Sequence, residues 1–270
     1  MADAFFEPDG ERFVPTDWAR GPWSADAAHA GPPAALLGRA VEGLDPPGPA
    51  MLVSRFSMEI LRPVPLRPLT VRAAVSRPGR RVQLAEAALL DGDDEVARAS
   101  VWRIRPNDDV ADELRRSAVV ELAHHLEPHP FEKPEDCPVA QTFSPGWDPS
   151  YFDAIEWRTA GGDWLQPGPA AMWMRMRVDL VAGETPSPLS RVLVSADSAN
   201  GISWELPIGP FLFANLDLTL HLARMPEAEW VCVDAISRLG PNGLGVAQSR
   251  LWDQRGRFGA GAQSLLVSTT

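Results

Sequence analysis

The stretch TPSPLSRVLVSADSANGISWELPIGPFLFANLDLTLHLAR, Thr185 to Arg224, decides how the whole chain is read. Its opening, Thr185-Pro186-Ser187-Pro188, predicts a helix start, because Ser187 or Thr185 can cap free N–H groups and proline suits the first turn. Leu189, Val192, Leu193, Ala196 and Ala199 then recur at three- and four-residue steps. They form one apolar stripe of a helix, and Gly201 suits the left-handed residue past its end. Asp197 lies deep in this helix at the edge of the stripe, where a carboxylate is desolvated. Such a group is either a site candidate or an acid satisfied by a neighbouring backbone group. From Phe211 to Leu222 the period becomes that of a strand. Leu212, Ala214, Leu216, Leu218, Leu220 and Leu222 share one parity, and Phe213, Asn215, Asp217, Thr219 and His221 the other. A half-buried strand is predicted, with Asn215 and Asp217 on the face opposite the leucines.

The same sequence of signals occurs earlier in the chain. After an opening segment anchored by Phe5, Phe6 and Phe13, His29-Ala30-Gly31-Pro32-Pro33 introduces a helix carrying Leu36, Leu37, Ala40 and Val41, closed by Gly43. Alternating runs follow around Phe56 to Ile60, Leu69 to Val75, Val82 to Leu90 and Val96 to Ile104, with Pro78-Gly79 and Asp91-Gly92 where hairpin turns belong. A shift of 162 residues lays this meander on the C-terminal one without a gap. Arg62 meets Arg224, Val71 meets Val233, Ala73 meets Ala235, Ala85 meets Ala247, Leu89 meets Leu251 and Asp91 meets Asp253. Matching parity and turn signals make a duplicated unit of one long helix and one antiparallel sheet, an α+β arrangement. The expected division is residues 1–107 for the first unit, 108–149 for a linker with a helix and a Pro-rich part, and 150–270 for the second unit.

Three features lie outside the repeat signal. His124, His125 and His129 fall in the linker, but adjacent histidines do not share a helix face, so no metal site is expected there. Met172, Met174 and Met176 share a parity and read as a core stripe or an adaptable apolar surface. Gln263 shares parity with Leu265 and Val267, so an amide points where apolar side chains belong and needs partners.

Composition bounds the function. A net charge of −11 over 270 residues opposes a general role on nucleic acids or membrane surfaces, because polyanions are repelled. No segment approaches the ~20 apolar residues of a membrane span, and Met1 to Gly10 has no basic, apolar leader pattern, so a cytoplasmic location is the expectation. The two cysteines, Cys137 and Cys232, indicate neither a disulfide framework nor a cysteine metal site.

Helix then meander, twice, with an acid in the second helix, resembles the double-hotdog fold of the type II acyl-CoA thioesterases. In that family an Asp of the second central helix, a Thr or similar residue at the start of the following strand and a Gln on the last strand position a water against the thioester carbonyl. Ser195-Ala196-Asp197 fits the small-small-Asp step, Ala214-Asn215-Leu216-Asp217 fits the strand with Asn215 at the Thr position, and Ala262-Gln263-Ser264-Leu265 fits the terminal segment. The resemblance therefore implies hydrolysis of acyl-CoA, with Asp197 as general base on a water held by Asn215 and Gln263, and no cofactor. Asn215 departs from the pattern, since an amide divides between two atoms the donor and acceptor roles that a hydroxyl combines.

Under the same resemblance, backbone N–H groups near His29, Ala30 and Gly31 would meet the thioester oxygen. Arg77, Arg80 and Arg81 at a hairpin tip would contact coenzyme A phosphates, unless they are merely solvated. The hydratases of this fold carry Asp-x-Asn-Pro-x-His, which Asp197-Ser198-Ala199-Asn200-Gly201-Ile202-Ser203 does not match. No Gly-x-Ser-x-Gly elbow is present, which opposes a covalent serine route. The rival reading is a non-catalytic acyl-CoA or acyl-chain binder. Pairing of whole chains into a homodimer or higher homo-oligomer stays open.

Overall fold

A computed structural model describes residues 3–44, 51–116, 129–141, 146–207 and 210–269. The opening segment forms a hairpin of β1 (Ala4–Asp9) and β2 (Arg12–Pro15), with Phe5 and Phe6 fully buried. Helix α1 (Gly31–Glu42) begins with prolines in its first turn, where an N–H has no helical partner to lose. The meander β3 (Leu52–Ile60), β4 (Leu69–Arg77), β5 (Val82–Asp91) and β6 (Asp94–Ile104) follows, then helix α2 (Asp108–Arg116). Residues 117–128 of the expected linker, with His124 and His125, lie outside the described residues.

The second half contributes β7 (Ile155–Gly161), β8 (Ala170–Met176) and β9 (Asp179–Val181) before helix α3 (Pro188–Ala196) and the short helix α4 (Ala199–Ile202). Strands β10 (Phe211–Asn215), β11 (Asp217–Leu222), β12 (Val231–Leu239), β13 (Leu244–Asp253) and β14 (Gly256–Thr269) complete the chain. All strands join one sheet in the order β7-β8-β12-β13-β14-β11-β3-β6-β5-β4-β2-β1-β9, with β10 also on β14. Only Arg177 and Val178 separate β8 from β9, yet these strands stand near opposite ends of the path. A two-residue link spans only about 10 Å, so the sheet must curl until its ends meet, enclosing α1 and α3.

The two central helices touch closely. A side chain at Gly31 would lie 2.5 Å from the Val194 carbonyl oxygen, and one at Gly38 would lie 2.5 Å from the Leu193 side chain. Leu36, Leu37, Leu189, Val192 and Leu193 are fully buried around this contact. Each such side chain contributes roughly 1.5–3 kcal/mol through its removal from water.

Strand pairing carries the repeat residue by residue. Val71 faces Leu89 as Val233 faces Leu251, and Ala85 faces Val101 as Ala247 faces Gln263. Even the irregularity is repeated. In β3 the register slips between Val53 and Arg55, leaving Ser54 as a bulge. At the matching point, Leu216, the strand expected to run unbroken from Phe211 to Leu222 divides into β10 and β11. Inward parity changes there: Phe213 is buried before the break, and Leu218, Leu220 and Leu222 after it, while Leu216 is 49% exposed. A one-residue slip turns side chains to the other face. Asn215 therefore points to the interior, and Asp217 instead accepts a hydrogen bond from the Ser264 N–H at 2.6 Å.

The second helix also differs from its prediction. It stops at Ala196, Asp197 is its C-cap rather than an interior residue, and Gly201 lies inside α4 without a positive φ. The predicted N-cap is present, Ser187 Oγ accepting from the Ser190 N–H at 3.1 Å. The methionine stripe is core: Met172 and Met174 are fully buried, as is Trp173 between them. His129, expected on an exposed linker, stacks on Trp173 at 5.7 Å and reaches the Asp253 carbonyl at 2.9 Å. No helix among the described residues is long and apolar enough to cross a membrane.

Candidate active site

Asp197 owes its place to the break in the second helix. In a continuous helix the Ser198 N–H would bond to the Val194 carbonyl, but here it turns tighter and bonds to Ser195 O at 3.1 Å. The Asp197 side chain, only 2% exposed, thereby reaches the start of α1, where its Oδ2 lies 3.0 Å from His29 Nδ1. The Gly31 N–H is 3.2 Å from the same nitrogen. One atom cannot donate to the carboxylate and accept from the amide at once. The charge-assisted bond is the stronger, so Nδ1 carries the proton and donates to Asp197. Nε2 then holds a lone pair, and it has no hydrogen-bond partner among the described residues.

The other carboxylate oxygen is held by two amides. Asn215 Nδ2 donates to Asp197 Oδ1 at 3.0 Å and Gln263 Nε2 donates to it at 3.2 Å, and both also reach the Asp197 carbonyl. Asn200 fixes the amides in turn: its Nδ2 donates to Asn215 Oδ1 at 3.1 Å and to Phe213 O at 2.9 Å, and its N–H donates to Gln263 Oε1 at 3.3 Å. These bonds account for the Gln263 amide that has only 1% exposure in an apolar strand. Through the same bonds the N–H groups of Asn215 and Gln263 hold the carboxylate itself.

This cluster forms the polar wall of a cavity of about 500 Å³. Trp23, Phe152, Trp157, Trp164 and Phe213 supply aromatic walls, and His29, Asp197, Asn200 and Asn215 supply the polar groups. A mostly apolar hollow with a few convergent polar groups is the usual form of a small-molecule site. Ala30 also lines it, and the Ala30 N–H, at the positive end of α1, has no partner among the described residues.

Of the residues singled out in the sequence, Asp197, Asn215 and Gln263 converge as expected, and His29 and Ala30 line the same cavity. Gly31 lies just behind them, against Val194. Arg77, Arg80 and Arg81 are not among the cavity's lining residues. Arg77 sits over the Trp102 ring at 5.7 Å, and the Arg80 carbonyl accepts from Arg105. Arg62 is at the cavity instead, while its repeat partner Arg224 is bound by Asp253 at 2.5 and 2.6 Å.

Two members of the cluster are not legible in the sequence. Asn200 stands there only as a mismatch to the hydratase pattern, and nothing in its spacing announces its three bonds to strands and their side chains. His29 is expected near a thioester oxygen, and no spacing places it on Asp197. The repeat offers a sharper signal, since the positions matching Asn215 and Gln263 are Val53 and Val101, both buried. An amide standing where valine stands 162 positions earlier singles out the C-terminal half as the candidate site.

Family models for the acyl-CoA thioesterase N-terminal domain and the acyl-CoA thioesterase C-terminal domain match residues 19–104 and 134–267. Among solved structures, a candidate thioesterase II from Thermobifida fusca YX is similar at 14% identity and a TM-score of 0.71, over 99% of this chain and 96% of that one. A conserved protein of unknown function with hotdog fold from Alicyclobacillus acidocaldarius is similar at 13% identity and a TM-score of 0.69, over 99% and 97%. Acyl-CoA thioesterase II TesB2 from Mycobacterium marinum is similar at 15% identity and a TM-score of 0.64, over 98% and 96%. At these identities the likeness shows the fold, a hotdog. No curated protein matches the sequence.

Proposed function

Because the chain belongs to the acyl-CoA thioesterase family, we propose that it hydrolyses acyl-CoA thioesters with an activated water at the His29–Asp197 pair. The observation that carries this reading is the carboxylate held on both sides: Oδ2 on His29 Nδ1 at 3.0 Å, Oδ1 on the Asn215 and Gln263 amides. The same reading takes the fold as a double hotdog in one chain, with units at residues 1–107 and 150–270 and only the second carrying the amide pair.

Water bound beside His29 Nε2 attacks the thioester carbonyl carbon, and its proton passes to Nε2. Asp197 stabilises the imidazolium that forms, and general-base catalysis of this kind contributes about 10²- to 10⁴-fold. The carbonyl oxygen, now negative, faces the free Ala30 N–H at the positive end of α1. Collapse breaks the C–S bond, and the leaving thiolate takes the proton from the imidazolium. The products are the free acid and coenzyme A, and both imidazole and carboxylate return to their starting states. Asn215 and Gln263 act by fixing the carboxylate's direction rather than by holding water.

Incubation with acyl-CoAs of graded chain length in ¹⁸O-water tests the reaction. The reading expects free thiol together with one ¹⁸O atom in the released acid. Tight binding of acyl-CoA with no thiol released at any chain length would make the cavity a binding site only.

A further inference from the structure

We infer that Tyr151 is a positioning residue for the His29–Asp197 pair, an inference that rests on the function proposed above. Tyr151 is the only tyrosine of the chain and is fully buried. Its ring lies 3.7 Å from the His29 ring with 5° between their planes, a parallel stack that fixes the plane of the imidazole. Phe5 at 6.2 Å and Trp157 at 6.1 Å hold the phenol in turn.

The hydroxyl acts on the other partner. It donates to the Val194 carbonyl at 2.7 Å and so accepts from Ser198 Oγ at 2.8 Å, since a carbonyl can only accept. Val194 O is the carbonyl that the helix break deprives of its Ser198 N–H, and a buried carbonyl without a partner is costly. Tyr151 supplies that partner. Its two hydrogen bonds flank Asp197 at residues 194 and 198, so they fix the break that presents the carboxylate. Burial pushes the Tyr151 phenol far above its ordinary value, outweighing the Ser198 bond, and it remains a neutral donor. One side chain thus sets the imidazole plane with its ring and the carboxylate's backbone with its hydroxyl. Phenylalanine would supply only the first.

The test uses Tyr151→Leu and Tyr151→Phe in the full chain, alone and with His29→Ala. Tyr151→Leu is expected to lower kcat for acyl-CoA at least tenfold with KM within twofold, and to cost nothing further once His29 is alanine. Tyr151→Phe, which keeps the packing, is expected to lose at least fivefold in kcat through the freed Val194 carbonyl. Equal losses with and without His29 would overturn the inference, as would losses confined to thermal stability. Proton NMR of His29 gives a readout independent of turnover. Ring current from the stacked phenol shifts the imidazole protons upfield in the wild type and in Tyr151→Phe, and Tyr151→Leu removes that shift. Unchanged His29 resonances in Tyr151→Leu would refute the positioning role. If the wild type releases no thiol, the proposed reaction fails, and the NMR comparison alone decides the role of Tyr151.

Discussion

Ser57 and Thr219 face each other across the β3–β11 seam with their hydroxyls 2.7 Å apart, and they are also 162 residues apart in sequence. That separation is the interval that superimposes one meander on the other, so each residue is paired with its own counterpart. The two halves of the sheet meet at the local symmetry point of the repeat. A hydroxyl pair at such a seam contributes about 1 kcal/mol. Urea unfolding of Ser57→Ala, Thr219→Val and the double variant should show coupling of roughly 0.5–1 kcal/mol between the two sites. Additive losses would mean that the pair does not tie the halves together.

Gly31→Ala is expected to destabilise the chain by about 2 kcal/mol, because the new methyl group would lie 2.5 Å from backbone, the Val194 carbonyl oxygen, where nothing flexible can yield. His29 is two residues away, so thiol release should fall with stability. A thermal melt unchanged from wild type would show that α1 and α3 can separate without loss.

Asn215→Val places at this position the residue that stands 162 positions earlier, Val53, which likewise directly precedes a break in strand register. The sheet should accept it. One of the two amide donors to Asp197 Oδ1 disappears, and kcat should drop at least tenfold, about 1.4 kcal/mol in barrier, while acyl-CoA affinity is retained. Full activity in this variant would exclude Asn215 from holding the carboxylate.

The Arg224–Asp253 pair predicts an acid limb of stability. Burial pushes the Asp253 carboxyl up, but hydrogen bonds from Arg224 and from the Glu227 and Arg255 N–H groups, with the Arg224 charge, outweigh it and hold the group below the usual carboxylate range. A folded value below the unfolded one contributes stability above the unfolded value, near pH 4, and that contribution is lost as pH falls through the folded value. Asp253→Ala should cost about 3 kcal/mol at pH 7, and the gap from wild type should narrow below about pH 4. A gap independent of pH would show that the charge of Asp253 contributes nothing.

Much of this was legible because strands and turns are local. Alternation at Phe56 to Ile104 and at Val231 to Leu251, with identities such as Val71/Val233, carries both the meander and its register. Asp197 and Gln263 were legible as polar residues in apolar surroundings, and Asn215 only through the family resemblance. The helix break was not, since Tyr151 holds it from a distant part of the chain. Nor was the inward turn of Asn215, because Leu212, Ala214 and Leu216 continue the alternation of leucines that follows while the backbone slips beneath it. His29 lay in view at the head of a helix, but its partner is 168 residues away and no spacing rule connects them.

The most direct measurement is thiol release from acyl-CoA by wild type and Asp197→Asn, with acyl-CoA affinity measured for both. The variant keeps the shape of the side chain and removes the charge that faces His29. Release by wild type that falls at least tenfold in Asp197→Asn, with affinity unchanged, is the predicted result. Equal release by both proteins would contradict the account, because the carboxylate would then have no part in activating water.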